Sequence, residues 1–133
     1  RLARELNIPI ILDESFLRRD QFTAIQNDLP STWIINIRVS KMGGILRSLA
    51  VAEQAKDMGI PIIIGAQVGE TSVLTRAALT IANSYRDIVI AQEGAFGTLL
   101  LERDICDPSL MFGAAGRLGT TALSGAGLGL IRL

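Results

Sequence analysis

Short apolar runs alternate with segments of helical periodicity along most of this chain, and this alternation limits the possible fold more than any other feature. Four runs rich in isoleucine and valine predict β-strands at residues 8–12, 33–39, 60–64 and 88–91. Strands that alternate with helices form parallel sheets with right-handed crossovers. The predicted order, βαβαβαβ, is typical of an open doubly wound sheet or of part of a (β/α)₈ barrel.

The helices between these strands are predicted from their boundary signals. Residues 1–6 predict the last turns of a helix, with leucines four residues apart. A second helix is predicted after Asp20 as its N-cap, and Pro30 ends it. The two remaining helices are predicted to begin at Gly43-Gly44 and at Thr71-Ser72.

The length of the chain sets how much of a barrel it can form. At 133 residues it can bury one ordinary core, whereas a complete (β/α)₈ barrel takes about 250 residues. If the fold is a barrel rather than an open sheet, residues 1–103 would supply only its second half. Residues 104–133 are rich in glycine without a clear period, which predicts an irregular return segment that packs against another part of the protein. No dinucleotide fingerprint or phosphate loop follows a predicted strand, which disfavours an open-sheet nucleotide binder.

The composition argues against several classes of partner. The 13 basic and 13 acidic residues give a formal net charge of zero and are scattered, so neither nucleic acid nor an anionic membrane is expected. The chain has no histidine and a single cysteine, so it offers no imidazole ligand for zinc and no internal disulfide. That residue, Cys106, is expected to be a small buried residue. No apolar run approaches the ~20 residues of a membrane span, and the expected compartment is the cytoplasm.

Polar residues close each predicted strand, at the edge where parallel α/β enzymes build their active sites. Asp13-Glu14-Ser15 follows the first strand, and strand alternation places Asn36, Arg38 and Ser40 on one face of the second. A buried arginine is costly unless it is paired, and neighbouring strands lie about 5 Å apart, so Asp13 or Glu14 is the predicted partner of Arg38. A purely structural ion pair is the alternative. The later strands are followed by Gln67, Glu70, Thr71, Ser72, Gln92 and Glu93.

These motifs resemble the C-terminal half of the enolase superfamily, in its mandelate racemase/muconate lactonizing branch. The resemblance rests on Asp13-Glu14-Ser15, on NIRVSKMGG at 36–44, on Glu70 and on FGTLLL at 96–101. It implies the fifth to eighth strands of a TIM-like barrel, with the return segment packed on a capping domain. It also implies a divalent metal ion, Mg²⁺ or Mn²⁺, and a small-molecule carboxylate substrate from which a proton is abstracted to form an enolate.

The resemblance assigns roles to individual residues. Asp13 corresponds to the third carboxylate ligand of the metal. Arg38 stands five positions before Gly43-Gly44, where muconate-lactonizing members have a catalytic lysine. Arginine stays protonated at ordinary pH, so Arg38 is expected to act electrostatically on an enolate or a substrate carboxylate. Glu70 matches a glutamate that follows the seventh strand, and Glu93 lies one position from an acidic residue on the eighth; either is a candidate to polarise or protonate the substrate.

The other polar residues at this edge are expected to support the site. Glu14, Ser15, Asn36 and Gln67 are predicted to line the rim or to hold its neighbours. Lys41 has the opposite strand parity to Arg38, so it would point away from the interior if the second strand reached that far, and a structural or rim role is expected. The proton-abstracting base is then a lysine on the second barrel strand, outside this chain. A one-base lyase or cycloisomerase is therefore favoured over a two-base racemase, and the histidine of the mandelate racemase pattern is absent.

The resemblance also implies that this chain is an incomplete part of an enzyme and inactive by itself. The base, two of the three metal ligands and the capping domain all lie elsewhere. Two open strand edges and an unfilled core predict self-association or pairing with the missing half of the barrel. A non-catalytic α/β binding or assembly module stays open as an alternative.

Overall fold

A four-stranded parallel sheet forms the body of the protein. The structure is a computed structural model that describes residues 2–94, 97–120 and 125–133. Its strands are β1 (Ile10–Leu12), β2 (Trp33–Ile37), β3 (Ile62–Ile64) and β4 (Val89–Gln92). Its helices are α1 (Leu2–Leu6), α2 (Val39–Met42), α3 (Ile45–Asp57) and α4 (Ser72–Ser84). The strands lie in the order β1-β2-β3-β4 and all neighbours are parallel, which confirms the predicted α/β class.

The register of the sheet brings the ends of the strands to a common edge. Leu12 lies beside Ile35, Ile37 beside Ile64, and Ile64 beside Gln92. The pairing of β3 with β4 shifts after its first residue pair, so β4 gains one residue there. The segments that follow the strands therefore gather at the carboxyl edge, where α/β proteins bind ligands.

The main core fills the space between this sheet and its helices. Its fully buried members include Ile35, Ile37, Ile62, Ile64 and Ile81. The helices present small side chains to the sheet, which lets them approach closely: Ala52, Ala55, Ala77 and Ala78. Because side chains alternate along a strand, Asn36 lies on the opposite face of β2 from this core.

The prediction of a single helix between Asp20 and Pro30 is wrong. The chain forms a 3₁₀ helix at Arg19–Ala24 and a second short turn at Pro30–Thr32. Arg18, rather than Asp20, is the N-cap of the first turn, where the Gln21 side chain accepts hydrogen bonds from the backbone amides of residues 17 and 18. Leu29 is 63% exposed, so no buried apolar stripe extends the turn into a longer helix.

The predicted second strand is too long at its end. It stops at Ile37, and α2 begins at Val39 with the amide of Met42 donating to the carbonyl of Arg38 at 3.0 Å. Gly43 and Gly44 then adopt φ values of 83° and 110°, which only glycine takes up without strain. The glycine pair ends α2 and directly precedes α3. The sequence predicted that a helix begins at this pair, but it did not predict α2.

The part of the chain after β4 carries short elements that the sequence did not predict. Helix α5 (Gly97–Leu100) is followed by an antiparallel pair of strands, β5 (Cys106–Asp107) and β6 (Ile131–Arg132). Cys106 is buried, as expected. Phe96, the first residue of the FGTLLL motif, lies outside the described residues. None of the helices that the structure describes is long and apolar enough to cross a membrane.

Candidate active site

A guanidinium–carboxylate cluster joins the ends of β1 and β2. Arg38 donates from Nε to Oδ1 of Asp13 at 3.0 Å, and its Nη2 lies 2.5 Å from Oδ2. Nη2 also contacts the carboxylate of Glu14, and Nη1 donates to Oε1 of Gln67 at 3.0 Å. The Arg38 side chain is 11% exposed, so its charge is almost buried and is balanced by two carboxylates. The predicted ion pair is therefore present, with both candidate partners.

The pairing shifts the pKa of both charged groups. Burial raises the pKa of Asp13, but hydrogen bonds from Arg38 and Lys41 outweigh it and hold the pKa below its ordinary value. The hydrogen bond to Asp13 raises the pKa of Arg38, against the opposing effect of burial. Arg38 therefore stays cationic and cannot accept a proton, but it can stabilise negative charge on a neighbouring group.

Lys41 points into this cluster, which corrects the prediction that it points away. Its Nζ donates to the backbone oxygen of Asp13 at 2.6 Å, to Oδ1 of Asp13 at 3.0 Å and to the backbone oxygen of Asn36 at 3.1 Å. Strand parity failed because the strand ends at Ile37 and a helical turn carries residue 41 back toward the sheet edge. The available signal was Gly43-Gly44, since a glycine pair commonly ends a helical turn.

Glu70 lies at the end of the loop that follows β3. Its residue is 8% exposed, and Oε1 accepts a hydrogen bond from the backbone amide of Gln67 at 2.8 Å. Burial raises the pKa of Glu70, although the Gln67 amide, the Ser40 hydroxyl and the charge of Arg38 act in the opposite direction. A raised pKa favours the protonated form of a carboxyl group, which is the form that a general acid needs.

Asn36 and Arg38 share the face of β2 that lies away from the main core, and Gly65 makes room for both. Asn36 is 5% exposed, and its Oδ1 has no hydrogen-bond partner within the described part of the chain. A β-carbon at Gly65 would overlap Asn36 Oδ1 and would lie 2.9 Å from Cγ of Arg38. Gly65 was not predicted as a site residue. Its position directly after the isoleucine run of β3 was the one signal for it.

Replacing Gly65 with alanine is expected to displace Asn36 and Arg38 and to lower the free energy of unfolding by about 1–3 kcal/mol, because the added methyl group overpacks the site. Urea denaturation measures the change. Gly119→Ala is the matched control, since a β-carbon there meets nothing within 4 Å, and a change of no more than about 0.5 kcal/mol is expected. Equal losses in the two variants would contradict the role of Gly65.

A cavity of about 580 Å³ opens beside Glu70, between the loop after β3, the end of β4 and the C-terminal segment. Its polar lining consists of Gln67, Glu70, Gln92 and Glu93. Its apolar lining includes Val68, Leu99, Leu100 and Phe112. The volume suits a small molecule. Glu93 thus lies on the same cavity as Glu70, whereas Ser15 is exposed and its backbone oxygen accepts a hydrogen bond from the Gln21 side chain at 2.8 Å.

Asp13 can supply one oxygen ligand to a metal ion. Its Oδ1 already accepts hydrogen bonds from Arg38 and Lys41, while Oδ2 contacts Arg38 Nη2. An oxygen of a carboxylate has two lone pairs, so Oδ2 retains one for a cation. Among the described residues, no group of three or more Asp, Glu, Cys or His side chains is placed to hold a metal.

Known sequences relate the chain to one family. The family model for the enolase C-terminal domain-like family matches residues 1–131. N-acetyl-D-glutamate racemase from Pseudoalteromonas sp is 32% identical over 76 residues, which make up 54% of this chain and 22% of that protein. The match to that relative therefore spans about a fifth of its length.

Solved structures share the fold over almost the whole chain. Muconate lactonizing enzyme from Pseudomonas putida superposes with a TM-score of 0.79 at 26% identity, covering 99% of this chain and 35% of that one. The L-Ala-D/L-Glu epimerase from Bacillus subtilis superposes with a TM-score of 0.69 at 25% identity, covering 93% and 33%. The chain thus spans about a third of these structures and matches the C-terminal part of a TIM barrel. It belongs to the enolase C-terminal domain-like family, and its structural neighbours lie in the mandelate racemase/muconate lactonizing enzyme group of the enolase superfamily.

Proposed function

We propose that this chain forms the second half of the catalytic barrel of an enolase-superfamily enzyme that abstracts a proton next to the carboxylate of a small-molecule substrate. The observation that carries the proposal is the cluster of Asp13, Arg38 and Lys41 at the carboxyl edge of the sheet, close to Glu70 and its cavity. A fixed cluster of cations and carboxylates at this edge is suited to bind an anionic substrate and to stabilise an enolate.

A divalent ion, Mg²⁺ or Mn²⁺, fits this site as a partner of Asp13. Hard divalent cations prefer oxygen ligands, and Asp13 offers one oxygen at the end of a strand. When bound, the ion would hold the substrate carboxylate and stabilise negative charge on it. Lys41 contributes by fixing the carboxylate and the backbone oxygen of Asp13 at the same time.

We assign separate catalytic and supporting roles to the other polar side chains of the site. Arg38 supplies a permanent positive charge, and Gln67 orients it by accepting the hydrogen bond from Nη1. Glu70 supplies a buried carboxyl group for proton donation, and Glu93 supplies a second acidic group on the wall of the same cavity. Because Arg38 cannot accept a proton, we assign the base to the other half of the barrel and the reaction to the one-base lyases or cycloisomerases.

Activity then depends on further polypeptide that completes the barrel. Both edge strands expose apolar side chains: Ile11 of β1 is 51% exposed and Ile90 of β4 is 56% exposed. Unpaired parallel edges of this kind need a strand from another part of the protein or from a second chain. We assign residues 1–103 to the half-barrel and residues 104–133 to a segment that packs on a capping domain.

The reaction is tested with the complete enzyme, in which this chain is joined to or mixed with the rest of the barrel. Small carboxylates are incubated in D₂O with Mg²⁺, and NMR follows the replacement of protons next to the carboxylate by deuterium. Exchange of at least one carboxylate supports an enolate-forming enzyme. If no member of a broad carboxylate set exchanges while Mg²⁺ is bound, the proposed reaction is wrong.

Asp13→Asn is expected to weaken Mg²⁺ binding to the complete enzyme on the order of 10- to 100-fold, because an amide is a poorer ligand than a carboxylate. Isothermal titration calorimetry measures the affinity. Asp20→Asn is the matched control, since Asp20 is an exposed carboxylate on the segment that follows β1. Equal Mg²⁺ affinities in the two variants would instead favour a non-catalytic binding or assembly module.

A further inference from the structure

A buried carboxylate ties the C-terminal segment to the start of α4. Asp104 is 7% exposed, and its Oδ2 accepts hydrogen bonds from the backbone amide of Ser72 at 3.0 Å and from the Ser72 hydroxyl at 2.5 Å. The Ser72 hydroxyl in turn accepts a hydrogen bond from the backbone amide of Leu110 at 2.7 Å. We call these three residues, Asp104, Ser72 and Leu110, the clasp.

The second oxygen of Asp104 holds its own segment in place. Oδ1 accepts hydrogen bonds from the backbone amides of Ile105 at 2.7 Å and Cys106 at 3.2 Å. The carboxylate therefore receives four hydrogen bonds, two of them from Ser72, the first residue of α4, where the helix dipole favours a negative charge. Loss of this charge is expected to loosen both the start of α4 and the C-terminal segment.

The clasp adjoins the loop that presents Glu70. Ser72 follows Glu70 by two residues, so fixing Ser72 fixes one end of that loop. On the other side Gly97 lies against the loop, because a β-carbon at Gly97 would overlap the backbone oxygen of Glu70. The loop and its end are thus contacted at two points, by Gly97 of α5 and by Asp104 of the C-terminal segment.

We infer that Asp104 is a positioning residue that sets the place of the Glu70 carboxyl group through Ser72. The inference rests on the proposed function of Glu70. The hydrogen bond from the backbone amide of Gln67 to Glu70 Oε1 joins the two sides of the loop. The side-chain oxygen of Gln67 also accepts a hydrogen bond from Arg38. A shift at the start of α4 would therefore change the burial of Glu70 and its distance from Arg38.

The test measures the ionisation of Glu70 rather than turnover. In the full 133-residue chain, ¹³C NMR follows the side-chain carboxyl of Glu70 and ¹H NMR follows the Gln67 amide as the pH changes. The variants are Asp104→Asn and Ser72→Ala, and Glu102→Gln is the matched control because Glu102 is an exposed carboxylate two residues before Asp104. The charged groups that face Glu70 or share its cavity, Arg38 and Glu93, are unchanged in all variants.

Both clasp variants are expected to lower the titration midpoint of Glu70 by about 0.5 pH units or more, because a looser loop admits water and burial raises this pKa. The control is expected to leave the midpoint unchanged. If Asp104→Asn does not fold, Ser72→Ala decides the question, because it keeps the backbone hydrogen bond to Asp104.

An unchanged midpoint in folded Ser72→Ala would overturn the inference. A general loss of stability alone does not move the midpoint in the folded state, so a purely structural clasp gives this negative result. The proposed function of Glu70 is tested separately by Glu70→Gln, which should lower kcat of the complete enzyme. If Glu70→Gln leaves kcat unchanged, the proposed function of Glu70 is wrong, whereas a lowered Glu70 midpoint in the clasp variants still supports positioning by Asp104. The two failures are therefore distinguishable.

Discussion

Replacing Arg38 with methionine is expected to lower the turnover of the complete enzyme by about 100-fold or more, because it removes a fixed charge that stabilises an anion. It is also expected to lower the free energy of unfolding by about 2 kcal/mol, less than the 3–5 kcal/mol typical of a fully buried pair. The smaller value follows because the Asp13 side chain is 32% exposed and keeps its ion pair with Lys41. Steady-state kinetics and urea denaturation measure the two effects.

Arg18→Met is the matched control for this substitution. The Arg18 side chain is 73% exposed and pairs with Asp20 on the surface, so a loss below about 0.5 kcal/mol is expected. Arg38→Lys separates charge from geometry, because an ammonium keeps the charge but cannot make the forked contact with both oxygens of Asp13. If Arg38→Met keeps full turnover, the electrostatic role of Arg38 is wrong.

Ile37→Ala is expected to lower the free energy of unfolding by about 3–4 kcal/mol, within the range for a fully buried isoleucine that leaves a cavity. Ile37 is 0% exposed, packs in the main core and directly precedes Arg38 in the chain. The loss should therefore shift the urea midpoint and also loosen the end of β2 that holds the ion cluster. Denaturation followed by circular dichroism measures it.

Ile90→Ala provides the control on the open edge of the sheet. Ile90 is 56% exposed, so its truncation in this chain is expected to cost less than about 1 kcal/mol. In the complete enzyme a neighbouring strand should cover Ile90, and the cost should increase. If Ile90→Ala has the same small effect on the free energy of unfolding in this chain and in the complete enzyme, a partner strand at this edge is contradicted. A similarly small effect of Ile37→Ala would contradict the assignment of Ile37 to the core.

The fold class was predictable because it depends on local patterns. Apolar runs and helical stripes each report on one element, and their alternation leaves few topologies. The pairing of Asp13 and Glu14 with Arg38 was predictable for a similar reason. The carboxylates directly follow β1 and the guanidinium directly follows β2. Neighbouring parallel strands lie near enough for such groups to form an ion pair. The catalytic roles of Arg38, Glu70 and Glu93 stay predictions.

Other features depended on where each element ends, which sequence patterns define poorly. Lys41 was predicted to face outward because the second strand was extended past Ile37. The turn at Arg19–Ala24 was predicted as a longer helix from its boundary signals, Asp20 and Pro30, although Leu29 is 63% exposed and adds no buried residue to it.

The sequence by itself determined the order of the four parallel strands, the helices α3 and α4 between the last three of them, and the edge of the sheet that carries the polar residues. Helical periodicity and strand alternation are patterns of a few consecutive residues, so they can be recognised in the sequence alone. Only the tertiary structure decided that Lys41 reaches Asp13, that Gly65 gives room to Asn36, and that Asp104 holds Ser72 from 32 residues away. Such contacts join residues far apart in the chain, and they form only when packing of the sheet and helices brings those residues together.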